Sequence, residues 1–186
     1  MRRAFLVLTV AAGVGLTAAT LFASTFLSAE FKEVVFEAST IVRGRVTDVR
    51  TMRSAAGDVE SVVTIAVESA LKGLPEQFLA MRVPGGTIGR YRTVMIGAPV
   101  MQVGDHAVFF LKRGPGNSLW PVGLAQGIYR VSAGSGGSVG RVHAPVLAGV
   151  TTNATGPVVR GDTRRKSLPI TEFESLVRLL LTQGGR

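Results

Sequence analysis

Acid–base or metal chemistry would fall first to imidazole, and the chain has two histidines, His106 and His143. His106 follows Asp105 at the head of the apolar run Ala107-Val108-Phe109-Phe110-Leu111. An aspartate there could orient a histidine as a base. The plainer expectation is that both residues cap the turn that opens a strand. His143 lies beside Ala144-Pro145, with no acidic residue near it in sequence. Two isolated histidines in a chain without cysteine make no metal-ligand spacing, so neither a metal nor a cofactor is expected.

Nucleophile and phosphate motifs are equally sparse. Gly134-Ser135-Gly136-Gly137-Ser138 lacks the Gly-x-Ser-x-Gly elbow that exposes a reactive hydroxyl, and it reads as a flexible loop. Gly85-Gly86 and the Gly123–Gly127 stretch have no Lys-Ser/Thr and no strand-to-helix setting, so they read as turns. Asp48, Asp58, Glu60 and Glu68 all fall within one predicted hairpin. Glu60 and Glu68 share a strand face but stand too far apart along it to share a proton, and a solvated strand edge accounts for them. Asn153-Ala154-Thr155 matches the short glycosylation acceptor, a pattern that chance supplies often.

The basic residues offer a binding chemistry instead. Arg43, Arg45 and Arg50 alternate along one predicted strand as candidates for an anionic ligand, with Arg90, Arg92, Lys112, Arg113 and Arg130 on others. A polyanion reader of this kind also needs exposed aromatics to stack on bases, and only Tyr91, Trp120 and Tyr129 are available. Export, argued next, speaks against nucleic acid as the partner.

Arg2 and Arg3 precede an uncharged stretch, Ala4 to Ala23, and the next charge is Glu30. This is the layout of a secretion signal, and residues 1–29 are expected to be a signal peptide or an N-terminal anchor. Small residues at Ala18, Ala19, Ala23 and Ser24 suit cleavage, while the length suits a retained span. Either way the body is expected to be exported, periplasmic or extracellular, and to meet the membrane only through an uncleaved leader. Without cysteine there is no disulfide, and the roughly 155 residues that follow must stand on their apolar core. The formal charge is +9, or +7 without Arg2 and Arg3, which makes a basic protein suited to anionic surfaces.

The elements that would position these groups follow from periodicity. Phe31, Val34, Val35 and Ala38 share one helical face, so a short helix is predicted over 28–38, capped by Ser28 with Glu30 in its first turn. The period then becomes two through Val42–Val46 and slips before Val49, which predicts a bulge near Thr47 or Asp48. Val63, Ile65 and Val67 make the next strand's apolar face, so the two strands form a hairpin around Ser54–Asp58. Strands are predicted at 78–83 and 91–96. His106–Leu111, apolar on both faces, reads as central. The segments 119–122 and 128–131 complete the set. Residues 133–168 read as an irregular linker containing a Gly/Ser stretch and prolines. A final helix over 169–183 carries Phe173, Leu176, Val177, Leu180 and Leu181 on one stripe, with Thr171 and Glu174 as a capping box, and is expected to dock on the β domain of residues 30–132.

This order of elements resembles the netrin-like fold of tissue inhibitors of metalloproteinases. The local matches are a helix running into Ile41–Val46, and Val63–Gly73 ending in Leu71-Lys72-Gly73. The chain also looks like a set of uncharacterised secreted bacterial proteins that share Val-Pro-Gly-Gly (83–86), Gly-Ala-Pro (97–99), Phe-Phe-Leu (109–111) and Gly-x-Tyr-x-Val (127–131). The resemblance implies a mainly β fold, a five- or six-stranded OB-like Greek-key barrel with a short N-terminal and a C-terminal helix. It implies no activity, because the inhibitors chelate zinc through an N-terminal cysteine that this chain lacks. The expected function is therefore a non-catalytic interaction or structural module of the cell envelope, binding a protein or an anionic surface polymer. Two alternatives stay open: a secreted hydrolase with residues gathered from distant loops, and a polyanion-binding OB domain.

Overall fold

The computed structural model describes residues 30–134, 140–145 and 167–184. The predicted leader, the Gly/Ser stretch 135–139 and most of the predicted linker lie outside the described residues. The fold is mainly β: a closed five-stranded OB-like barrel with a short helix near the N-terminus and a helix at the C-terminal end. Among the described residues no helix is long and apolar enough to cross a membrane.

The barrel begins with a hairpin of two long strands, β1 (Thr40–Arg53) and β2 (Val59–Lys72). Its register shifts between Val46 and Asp48, at the predicted bulge, and again between Arg43 and Gly44. Strand β3 (Phe78–Pro84) pairs antiparallel with β2. The chain then makes an excursion through residues 85–104. A small separate hairpin, β4 (Gly86–Ile88) with β5 (Tyr91–Thr93), lies within it. The predicted strand over 91–96 is therefore shorter, and it lies outside the barrel. Strand β6 (His106–Arg113) returns to pair with β1, and β7 (Leu119–Pro121) pairs with the far end of β6. A parallel bridge, Met81↔Leu119, joins β3 to β7 and closes the ring β1-β2-β3-β7-β6.

β8 (Ile128–Ser132) continues along the edge of β6 that β7 began. Between them residues 122–127 stand opposite the single residue Phe110, as one large bulge holding a 3-10 turn at Leu124–Gly127. Gly127 has to be small there, since a Cβ would lie 2.6 Å from the Val122 carbonyl oxygen and 2.8 Å from that of Phe110. Two short strands, β9 (Arg141–His143) and β10 (Leu168–Pro169), extend the sheet beyond β8. Both fall in the stretch whose composition reads as irregular. Pairing with a formed sheet edge organises them where local propensity does not.

β6 serves two cores, one on each face. Ala107, Phe109 and Leu111 point into the barrel with Val42, Val46, Val63, Ile65 and Met81. Val108 and Phe110 point outward, into a second core roofed by helices α1 (Phe31–Glu37) and α2 (Ile170–Gln183). Gly44 is the narrow point of the barrel wall, where a Cβ would meet the Ala66 carbonyl oxygen at 2.4 Å. In the outer core Phe31, Phe110, Tyr129 and Phe173 form a cluster with ring centroids 5.2–6.4 Å apart.

The helix ends differ from the sequence expectation. α1 is capped by Glu30 in a reciprocal capping box with Glu33, so Glu30 is the cap and not a first-turn residue; Ser28 lies outside the described residues. At the other end of α1, the Lys72 ammonium donates to the carbonyls of Val35 and Phe36, both at 3.2 Å, fastening the helix terminus to β2. α2 starts at Ile170 behind Pro169, and no capping box forms at Thr171. Glu174 instead turns inward.

Candidate functional site

The outer core has a charged rim, built where β1, β2, β6 and α2 meet. Arg43 lies opposite Val108, and Arg45 opposite His106, on the outward face of β1. The bulge between Arg43 and Gly44 brings Glu68 of β2 beneath both guanidinium groups. Glu68 stands 3.5 Å from Arg43 Nε, 3.7 Å from Arg45 Nε and 2.8 Å from His106 Nε2. Helix α2 adds Glu174, which lies 3.3 Å from Arg43 and 3.4 Å from Arg178. Arg43 and Glu174 are 23% and 11% exposed, so this is a covered ion pair. Arg50 is separate. It lies beyond the second bulge on the open surface and pairs with Asp48 at 2.7 Å. The three arginines singled out in the sequence thus form no single patch, and each has a carboxylate neighbour.

Two further carboxylates of the hairpin, Glu60 and Glu68, are likewise engaged. Glu60 is held by Arg82 at 2.8 Å and Glu68 is the hub just described, so neither is a simply solvated edge residue. Local spacing could not show this, because every partner is on another strand. Asp105 does cap its turn, accepting from the Gln102 amide at 2.9 Å, and it also pairs with Arg130. His106 does not cap; it reaches across the strands to Glu68.

A hydrolase of the usual acid–base–nucleophile kind would need carboxylate, imidazole and hydroxyl in sequence. His106 has the carboxylate of Glu68, and His143, on β9, has the hydroxyl of Ser132 at 2.9 Å. No hydrogen bond or ion pair among the described residues joins the two halves.

Burial lowers the pKa of His106 below its ordinary value; Glu68 opposes this, and the charges of Arg45 and Arg43 reinforce it. The imidazole is therefore neutral near pH 7, and Nε2–H donates to Glu68. A histidine whose folded pKa lies below its unfolded value leaves stability unchanged above the unfolded pKa. It removes stability as pH falls from about 6.5 through the folded pKa. Urea unfolding should accordingly show wild type losing stability over that window, and His106→Gln should lose less there. Imidazole titration above 6.5 in the folded protein would overturn this.

The excursion between β3 and β6, read in the sequence only as turns, a strand and basic positions, carries the main exposed apolar surface of the described residues. Tyr91, Val94, Ile96 and Val100 are 65%, 69%, 73% and 65% exposed, with Met95 and Val103 also in water. The excursion is tied down from below, Ala125 N–H donating to the Gly97 carbonyl and Arg130 to that of Val100. Behind its rim a cleft of about 300 Å³ opens over the end of the barrel core, where β1 and β2 run on past β6. Arg92 is the charged residue lining it. The sequence signal was present: from 77 to 104 the chain has no acidic residue while it carries Arg82, Arg90 and Arg92. Of the three aromatics considered for base stacking, Tyr129 is buried in the ring cluster, Trp120 is half-buried and Tyr91 is exposed.

No protein-family model matches the chain, and no curated protein matches its sequence.

Proposed function

We propose that the chain is an exported, non-catalytic interaction module of the cell envelope, and that it meets an envelope protein through the excursion 85–104. The observation that carries this is the run of exposed side chains at Tyr91, Val94, Met95, Ile96, Val100 and Val103: six of the eleven large apolar side chains exposed among the described residues lie in this one segment, the others being Phe36, Met52, Leu74, Phe78 and Leu179. Apolar surface gathered in one place, with basic residues at its edge, is the usual mark of a docking surface. The leader-like residues 1–29 support export.

An anionic surface polymer is the second reading. It is favoured by Arg90 and Arg92 in a stretch free of acidic residues, more than by Arg43, Arg45 and Arg50, whose charges face carboxylates. Recovery of bound partners from native envelopes separates the two. Val94→Ser with Ile96→Ser should lower recovery about tenfold at any salt concentration, as loss of apolar anchors does. Recovery that falls steeply with salt, and is lost in Arg90→Ala with Arg92→Ala, would select the polymer instead. Unchanged recovery in both double variants would remove the excursion as the contact surface.

A further inference from the structure

The cleft behind the excursion has a chemistry of its own. Its apolar walls come from Val49, Val83, Val94, Met95, Val100 and Met101, and its most buried lining, Val63, Val83 and Met101, belongs to the barrel core. Two of its four lining hydroxyls are already engaged: Thr51 and Ser61 lie 3.3 Å apart, and Ser61 donates to the Gly85 carbonyl at 2.8 Å, while Thr87 and Thr93 are the other two. A ligand therefore meets little demand for hydrogen bonds at Thr51 and Ser61. The charged lining group is Arg92, exposed, with no carboxylate partner among the described residues. The mouth of a β-barrel, where the core is within reach of solvent, is a recurrent place for a ligand site.

We infer that this cleft seats the aliphatic chain of a monoanionic amphiphile, a fatty-acid-like carboxylate, with the chain against the valine and methionine walls and the anionic head at Arg92. The inference rests on reading the excursion as the contact surface and adds a ligand class to it. Two consequences follow from the geometry. Affinity rises with chain length while methylenes are still entering the cleft, by about fourfold per added CH₂, and levels off when the cleft is full. The head group interacts with one exposed guanidinium, so its loss weakens binding by about fivefold and no more.

The test is calorimetric titration of the full chain with hexanoate, octanoate and decanoate below their micellar concentrations, beside decanol. Expected are a rise in affinity along the series, decanol about fivefold weaker than decanoate, and Arg92→Ala bringing decanoate down to the level of decanol. Arg92 is at the surface, and near-UV circular dichroism confirms that the variant is folded. Absence of carboxylate binding, affinity independent of chain length, or an unchanged Arg92→Ala would each overturn the inference. So would binding to vesicles of anionic phospholipid without binding to the monomers. If the carboxylates fail to bind while Val94→Ser with Ile96→Ser still abolishes envelope recovery, this inference falls and the contact surface stands. If recovery is unaffected both by that variant and by Arg90→Ala with Arg92→Ala, the contact surface itself is wrong, whatever the carboxylates do.

Discussion

Phe110→Ala lowers stability by about 3–5 kcal/mol, the range for emptying an aromatic site in a closed core. Phe110 is fully buried and touches rings from three other elements: Phe31 of α1 at 5.8 Å, Tyr129 of β8 at 5.2 Å and Phe173 of α2 at 6.4 Å. Its loss leaves a cavity that cannot collapse without moving both helices. For a domain of this size such a loss shifts the unfolding midpoint by on the order of 10 °C. Chemical denaturation measures it, and additivity identifies its origin. Phe110→Ala and Phe173→Ala share one ring cluster and should couple, their joint cost falling short of the sum. Phe109→Ala should cost as much alone yet add to Phe173→Ala with little coupling, because Phe109 faces the barrel interior. A loss below about 1.5 kcal/mol for Phe110→Ala would show that the outer core is not closed around this ring.

The same residues explain why so much of the fold was legible. A run that is apolar at every position cannot belong to a strand with one wet face, and β6 is apolar from Ala107 to Leu111 because each face has a core. The β1–β2 hairpin and its bulge could be read because alternation and its slip are local signals, set by the barrel wall on one side and solvent or helices on the other. Closure could not be read. It depends on β7, three residues long, and on a single parallel bridge between Met81 and Leu119. A contact between residues so far apart leaves no period in either segment. The stretch 91–96 misled for a related reason. It is rich in strand-forming residues, but only Tyr91–Thr93 find a partner, and Val94–Ile96 stay in water as part of the surface proposed for binding.

The charged rim was legible residue by residue and not as a unit. Arg43, Arg45, Glu68 and His106 each stood out in the sequence, but the bulge that gathers them around one carboxylate is a property of register. Glu174 shows a stronger form of the same limit. Thr171-x-x-Glu174 has the spacing of a capping box, yet Pro169, with its fixed φ and no N–H, lets the helix begin at Ile170 and places Thr171 inside its first turn. Glu174 is then on the face that covers the sheet, where Arg43 waits.

That placement supplies the second large effect. Glu174→Ala should cost about 2 kcal/mol, between the near-zero value of an exposed pair and the 3–5 kcal/mol of breaking a fully buried one. It leaves Arg43 covered by α2 with only Glu68 at 3.5 Å to balance it. The pair is not well matched by hydrogen bonds, since neither Arg43 Nε nor Glu174 Oε1 has such a partner among the described residues. Attraction between the two, with the hydrogen bond that Glu174 Oε2 accepts from Arg178 at 3.4 Å, offsets their desolvation. Removing both charges together should therefore be far less harmful than removing one: Arg43→Met with Glu174→Leu should return to within about 1 kcal/mol of wild type, as apolar replacements of covered ion pairs do. A double-mutant cycle by urea denaturation reads this directly. If Glu174→Ala costs under about 0.5 kcal/mol, the pair holds nothing in place. If the apolar double variant is as unstable as the two single costs summed, the rim is a structural requirement in itself, and the position of α2 over the sheet depends on charge and not on the Phe173 and Val177 contacts beneath it.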